Sequence, residues 1–215
     1  MPSPAAMPRR HAVPAKHAKL SRADSQAQTR ARLLATATTC FLRDGYAETS
    51  MEAIAAAAGF TKGAVYSNFP SKVELCQAVL DAIRAQQIAA LGRAIAGATT
   101  VEALAAGLER WADAHIGDPA WTRLEVEFGV HASRSPALAK QVARRHQEVR
   151  ARVAELIAAY AAAHRLTLPL PAEDIGVALL SLGVGLGVQR AIDPTLPVRT
   201  LATVLRLFAS PARRR

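Results

Sequence analysis

Apolar residues recur along this chain at the three- and four-residue spacing of helices, and almost nowhere with the alternation of a half-buried strand. Leu34, Ala37 and Phe41 form one stripe of a helix predicted over 26–44, which Gly45 should close with a left-handed cap. Thr49 and Ser50 offer hydroxyls to cap a second helix over 51–58, where Ile54 and Ala58 share a face and Gly59 is the stop. Thr61 caps a third over 62–69, with Val65 and Phe69 pointing one way. Pro70 ends it, because proline disfavours helical geometry in the residue before it. Ser71 and Glu74 have capping-box spacing, and a long helix is predicted from there to about 95.

Five more helices are predicted, over about 101–115, 119–132, 136–164, 172–191 and 196–208, with proline in the first turn of two of them and breaks at 168–171 and 193–194. The fold class is therefore all-α. The expected division is a basic arm over 1–24, a helix-turn-helix domain over 25–88, a second helical bundle over 89–210 and a basic tail over 211–215.

Composition supports this. Hydrophobic residues make up 51% of the chain, enough for a sizeable core, and alanine, the best helix former, occurs in runs such as 55–58. The formal net charge of +10 favours polyanionic partners, since each cation on a phosphate releases counterions, although a basic surface also serves solubility. The first 24 residues hold four prolines and several cations without apolar periodicity, so the arm is expected to be disordered. It is either a passive tail or a minor-groove contact. Cys40 and Cys76 fit small core positions in a reducing compartment better than a disulfide framework. No secretory pattern is visible, and the longest apolar stretch, 175–188, is shorter than the ~20 residues of a spanning helix. A cytoplasmic protein with no membrane partner is expected.

Two short helices joined through Gly59 make a helix-turn-helix. The second presents Thr61, Lys62 and Gly63 at its start, with Tyr66, Ser67 and Asn68 on the positions left when Val65 and Phe69 turn inward. A helix N-terminus suits phosphate. Gly63 and Ala64 leave room for close approach, Lys62 and Tyr66 can hold phosphate oxygens, and Thr61, Ser67 and Asn68 can read base edges. Lys72 is placed for a flanking phosphate. With Thr49 and Ser50 these form the candidate set for double-stranded DNA. The same residues could also be an ordinary polar surface.

The segments Phe41-Leu-Arg-Asp-Gly45-Tyr46, Thr49-Ser50-Met51-Glu52-Ala53-Ile54-Ala55, Ala58-Gly59-Phe60-Thr61-Lys62-Gly63-Ala64-Val65-Tyr66, Phe69-Pro70-Ser71-Lys72 and Glu74-Leu75 resemble the N-terminal domain of the TetR family of regulators, without a gap, over about a quarter of the chain. The resemblance implies a three-helix DNA-binding domain, a fourth linking helix, and a C-terminal domain for ligand binding and dimerisation. It places Ser50, Lys62, Gly63, Tyr66, Asn68 and Lys72 at or near DNA. Ser67-Asn68 departs from the bulkier or basic residues of many relatives, which bears on the operator sequence. Repression relieved by an unknown small-molecule effector is the family default.

In the C-terminal half, Gly183 and Gly187 lie four apart among Leu179, Leu182 and Leu186. Glycine inside a helix costs ~1 kcal/mol against alanine, which close packing of a partner helix would offset. These residues and Leu205 are the expected interface of a homodimer, with a buried intrachain helix as the other reading. Trp111 with His115, and Trp121, Leu124 and Phe128 with His131, are candidate walls of a ligand pocket, although aromatics at helical spacing also make ordinary cores. Glu127 and His131 have the spacing of a metal pair but lack further ligands, so no metal is expected. No nucleophile elbow, zinc-protease motif, phosphate loop or dinucleotide fingerprint occurs, so neither an enzyme nor a cofactor is expected. The alternative is a helical interaction protein that binds an acidic partner or an anionic membrane.

Overall fold

A computed structural model describes residues 21–209; residues 1–20 of the arm expected over 1–24, and the tail expected over 211–215, lie outside them. The described residues form nine helices and no strand: α1 Arg22–Glu48, α2 Met51–Ala58, α3 Lys62–Asn68, α4 Lys72–Ala96, α5 Val101–His115, α6 Pro119–Ser133, α7 Pro136–Ala163, α8 Ala172–Ile192 and α9 Arg199–Ala209.

α1 begins four residues before the position predicted. Ser21 Oγ accepts the Asp24 N–H at 3.0 Å, while Asp24 Oδ2 accepts the Ser21 N–H at 3.2 Å. This reciprocal cap satisfies two donors that the first turn would leave open, so residues 22–24 are helix rather than arm. At the other end Gly45 does not close the helix. It has φ 84° and ψ 177°, a region open essentially to glycine alone, and the chain re-enters helix from Tyr46 to Glu48.

The short helices form as their caps dictate. Ser50 accepts the Ala53 N–H and Thr61 accepts the Ala64 N–H. Gly59 sits in the left-handed region at φ 70°, ψ 31°, and its N–H returns to Ala55 and Ala56. Ser71 accepts the Glu74 N–H at 3.1 Å, so the Ser71 half of the expected box caps α4.

One core joins α1 to α4: Leu33, Phe41, Ile54, Val65, Phe69, Leu75, Val79 and Leu80 are almost fully buried together. Trp121, Leu124 and Phe128 of α6 complete it, so the N-terminal domain is sealed by a helix of the second domain. A second core gathers Leu108 and Ala112 of α5, Leu186 of α8, Val198 just before α9 and Leu201 within it. α4 contributes Leu75 and Leu80 to the first and Leu91 to the edge of the second, which makes it the strut between them.

α8 is one residue longer than the predicted 172–191. Its 21 residues are, by length and composition alone, enough to cross a membrane. Within the fold it packs across the α5–α6 loop. A Cβ on Gly187 would lie 3.8 Å from the Gly117 nitrogen, and one on Gly117, whose φ is 88°, would lie 2.4 Å from Arg190 Cβ. An added Cβ on Gly187 would thus make only ordinary van der Waals contact, and the tight approach is at Gly117 against Arg190; Gly187 is buried within its own chain, which corrects the expectation that it is open to a partner helix. Leu186 and Gly187 are buried, and Leu179, Leu182 and Leu205 pack on the second core. A Cβ on Gly183 would lie 3.8 Å from Ile116. This apolar stripe of α8 faces the chain's own core. The large apolar residues exposed on this side include Ile192, at 84% exposure, and Leu207, at 71%.

Candidate nucleic-acid interface and ligand cavity

α3 is pinned by Val65 and Phe69, which are essentially inaccessible. Thr61, Lys62, Gly63, Tyr66 and Ser67 are exposed, Ala64 is half-buried, and Ser50 lies exposed at the start of α2. Lys62 Nζ is 2.5 Å from Glu52 Oε1 and 5.7 Å from the Tyr66 ring centre. The Glu52 hydrogen bond raises the lysine above its ordinary value and Lys62 lowers Glu52 in turn. The ammonium is therefore charged at neutral pH, but it carries a local counter-ion that a phosphate must displace.

Three members of the expected DNA-binding set sit elsewhere. Thr49 is 2% exposed and its hydroxyl donates to the Gly45 carbonyl at 2.6 Å, so it holds the break in α1 and cannot touch a duplex. Asn68 is half-buried. Its Nδ2 donates to the Ala64 carbonyl at 2.8 Å and its Oδ1 is buried without a partner, so this side chain folds back on α3 instead of facing outward. Lys72 donates to the Ala47 carbonyl at 3.0 Å and lies over the Tyr46 ring, and burial holds it below its ordinary value. It fastens α4 to the end of α1.

Arg30 and Arg32 were missed. Arg30 donates to the Asn68 carbonyl and its guanidinium lies 3.9 Å over the Phe69 ring; Arg32 reaches Ala58 and stacks on Phe60. Both exposed cations flank the helix-turn-helix. The only signal in the sequence was their basic charge near the start of α1, which does not reveal that α1 crosses the end of α3.

A cavity of about 820 Å³ lies in the second domain among α4, α5, α6, α7 and α8. Trp111, His115 and Trp121 line it. Trp111 Nε1 donates to the Gln87 carbonyl at 3.0 Å, and the His115 ring stacks on the indole. Leu124, Phe128 and His131 are on the other side of α6. Leu124 and Phe128 fill the first core, and the His131 ring is 4.7 Å from that of Tyr46. Glu127, the suggested metal partner of His131, accepts main-chain N–H groups instead. Among the described residues no group of three His, Cys, Asp or Glu side chains is arranged to hold a metal.

α6 therefore has two working faces. Trp121, Thr122, Glu125 and Val126 face the cavity. Arg123 and Glu127, one turn apart, grip the break in α1. Arg123 donates to the Leu42 and Arg43 carbonyls at 2.9 and 2.8 Å, and Glu127 Oε2 accepts the Tyr46 and Ala47 N–H groups at 2.7 and 3.4 Å. The carbonyls and N–H groups that a broken helix leaves open are thus satisfied from the cavity-bearing domain.

A polar-faced second helix held on a small three-helix core, with a cavity-bearing helical domain joined to it through α4 and sealed against it by α6, defines a helix-turn-helix regulator. Residues 33–79 match the family model of the bacterial regulatory proteins of the tetR family, and residues 100–210 match that of the BetI-type transcriptional repressor C-terminal domain. The chain belongs to the TetR family, whose members are DNA-binding transcription factors, not enzymes. It is 43% identical over 56 residues to the HTH-type transcriptional regulator TtgR of Pseudomonas putida, a match that covers 26% of this chain and only 27% of that protein. In fold it is similar to Escherichia coli NemR in its reduced form, with a TM-score of 0.67 at 18% identity over 86% of this chain and 100% of that one. It is also similar to GusR of Salmonella enterica, with a TM-score of 0.64 at 24% identity over 84% and 92%.

Proposed function

We propose that this regulator is a cytoplasmic repressor that binds a pseudo-palindromic operator as a homodimer and leaves it when a small molecule fills the cavity. The observation that carries this reading is the double role of α6, whose one face lines the cavity while Arg123 and Glu127 on the other hold α1. A ligand that displaces α6 shifts the end of α1, and with it Lys72 and the start of α2. The ligand acts only through its differential affinity for the two arrangements, and tenfold release of DNA needs ~1.4 kcal/mol of coupling. Ser50, Thr61, Lys62, Gly63, Ala64, Tyr66 and Ser67 form the DNA face, with Arg30 and Arg32 on its flank. The exposed Ile192 and Leu207 belong to the dimer contact of α8 and α9.

Selection of bound duplexes from a random pool tests the reading. Two half-sites of inverted sequence about one helical turn apart, ~34–36 Å, are expected. An unstructured or single-copy motif contradicts the dimeric arrangement, and failure to retain any duplex at low salt removes the function. A helical binder of acidic proteins or membranes would instead partition to anionic vesicles and show no preference for duplex.

A further inference from the structure

The cavity's volume, about 820 Å³, is of the size that encloses drug-sized molecules. Most of its wall is apolar, including Leu91, Leu108, Trp111, Leu156, Ile157 and Leu180. The charged side chains in the wall are Arg84, Glu125 and Arg150, with His146 beside them. Arg84 donates to Glu125 Oε1 at 2.9 Å and lies 3.2 Å from His146 Nε2, so the one carboxylate is already neutralised. Burial first, then the positive charge of Arg84 and to a smaller degree that of Arg150, holds the His146 imidazole below its ordinary range; the ring adds no charge at neutral pH. Arg150 lies one turn beyond His146 on α7 and lines the same cavity. Arg150 is half-buried on α7 and, among the described residues, has no hydrogen-bond or ion-pair partner. Two guanidinium groups against one carboxylate leave the wall with a single positive charge.

A half-desolvated guanidinium beside an apolar surface has lost hydration without gaining a counter-ion. Its planar fork matches a carboxylate bidentately. A cationic ligand would have to take Glu125 from Arg84 and then sit beside Arg150, which is unfavourable on both counts. We propose that the effector is an amphipathic anion whose apolar body fills the cavity and whose carboxylate pairs with Arg150. This rests on the reading of the cavity as the effector site and names the chemical class that it selects.

Calorimetric titration of the full-length protein with two matched probe sets tests this. One set is decanoate, decanol and decyltrimethylammonium; the other is 2-naphthoate, 2-naphthalenemethanol and 2-naphthylmethylammonium. In at least one set the carboxylate is expected to bind at least tenfold tighter than its neutral and cationic counterparts. Arg150→Gln is expected to remove that preference while the alcohol binds within threefold of its affinity for the unaltered protein. Equal or tighter binding of the alcohol or the ammonium in both sets, a preference that survives Arg150→Gln, or no binding by any probe overturns the proposal. Duplex binding is measured on the same preparations without probe. If it persists while the anion preference fails, the ligand class alone falls; if the protein does not bind duplex, the regulator reading falls whatever the cavity accepts.

Discussion

Glu127 on α6 accepts the main-chain N–H of Tyr46 at 2.7 Å, immediately after the glycine at which α1 breaks. The two residues are 81 apart in sequence, and their bond ties the cavity-bearing domain to the N-terminal core. Removing the carboxylate leaves partly buried N–H groups without a partner, so Glu127→Ala is expected to destabilise the fold by about 1–3 kcal/mol in denaturant unfolding. A Cβ on Gly45 would lie 2.7 Å from Glu127 Oε2, and the positive φ there is strained for any other residue. Gly45→Ala should therefore cost more in the wild-type background than beside Glu127→Ala. Additive costs would show that the two residues do not act as a unit.

Lys62 and Tyr66 are assigned to phosphate. Tyr66→Phe is expected to weaken operator and random duplex by similar factors, about fivefold for the loss of ~1 kcal/mol. Lys62→Ala should lower the log–log salt slope by about one. Glu52→Gln frees Lys62 from its ion pair and should strengthen random-duplex binding a few-fold at low salt. Filter-binding isotherms across a salt series decide these together. Weaker binding after Glu52→Gln would mean that the pair positions the lysine instead of restraining it.

Asn68 folds back on the Ala64 carbonyl with its Oδ1 buried. Asn68→Ala is therefore expected to leave discrimination between operator and random sequence unchanged, as measured by competition binding. Eroded discrimination would show that the side chain swings out to read a base.

Cys76 is fully inaccessible, and burial pushes its thiol up to about 12. At pH 8 the thiol stays protonated, so a disulfide reagent should label it only on unfolding. Because the folded value lies above the ordinary one near 9, its contribution is complete below pH 9 and is lost as pH rises toward 12. Between pH 8 and 10 the unfolding free energy of the wild type should fall more steeply than that of Cys76→Ala. Parallel curves would remove the thiol as the cause.

Among the described residues, Ile192 and Leu207 are the most exposed large apolar side chains. Replacing both by glutamate should shift the protein from dimer to monomer in sedimentation at micromolar concentration while helix content by circular dichroism is kept. A dimer that survives the double change would place the contact on another face.

The short helices were legible because local chemistry sets their ends: Ser50 and Thr61 cap, Gly59 takes the left-handed turn, and Phe69 precedes a proline. The early start of α1 is encoded in Ser21 and Asp24, where an aspartate takes the place that a capping box usually gives to glutamate. The cavity was only partly visible. Trp121 and Leu124 are three apart on one helix, and that spacing cannot say that the former borders the cavity while the latter is buried against α1.

By itself the chain's pattern determined the all-helical class, the helix-turn-helix and the polar face of α3, because spacing, caps and breakers act over a few residues. Only the tertiary structure decided which neighbour each stripe meets: that Leu186 and Gly187 seal the chain's own core, that Thr49 and Lys72 brace α1, and that Arg123 and Glu127 reach across 80 residues and more to hold a broken helix. A helical period fixes direction about its own axis. What lies in that direction depends on how distant segments pack, and no local preference encodes it.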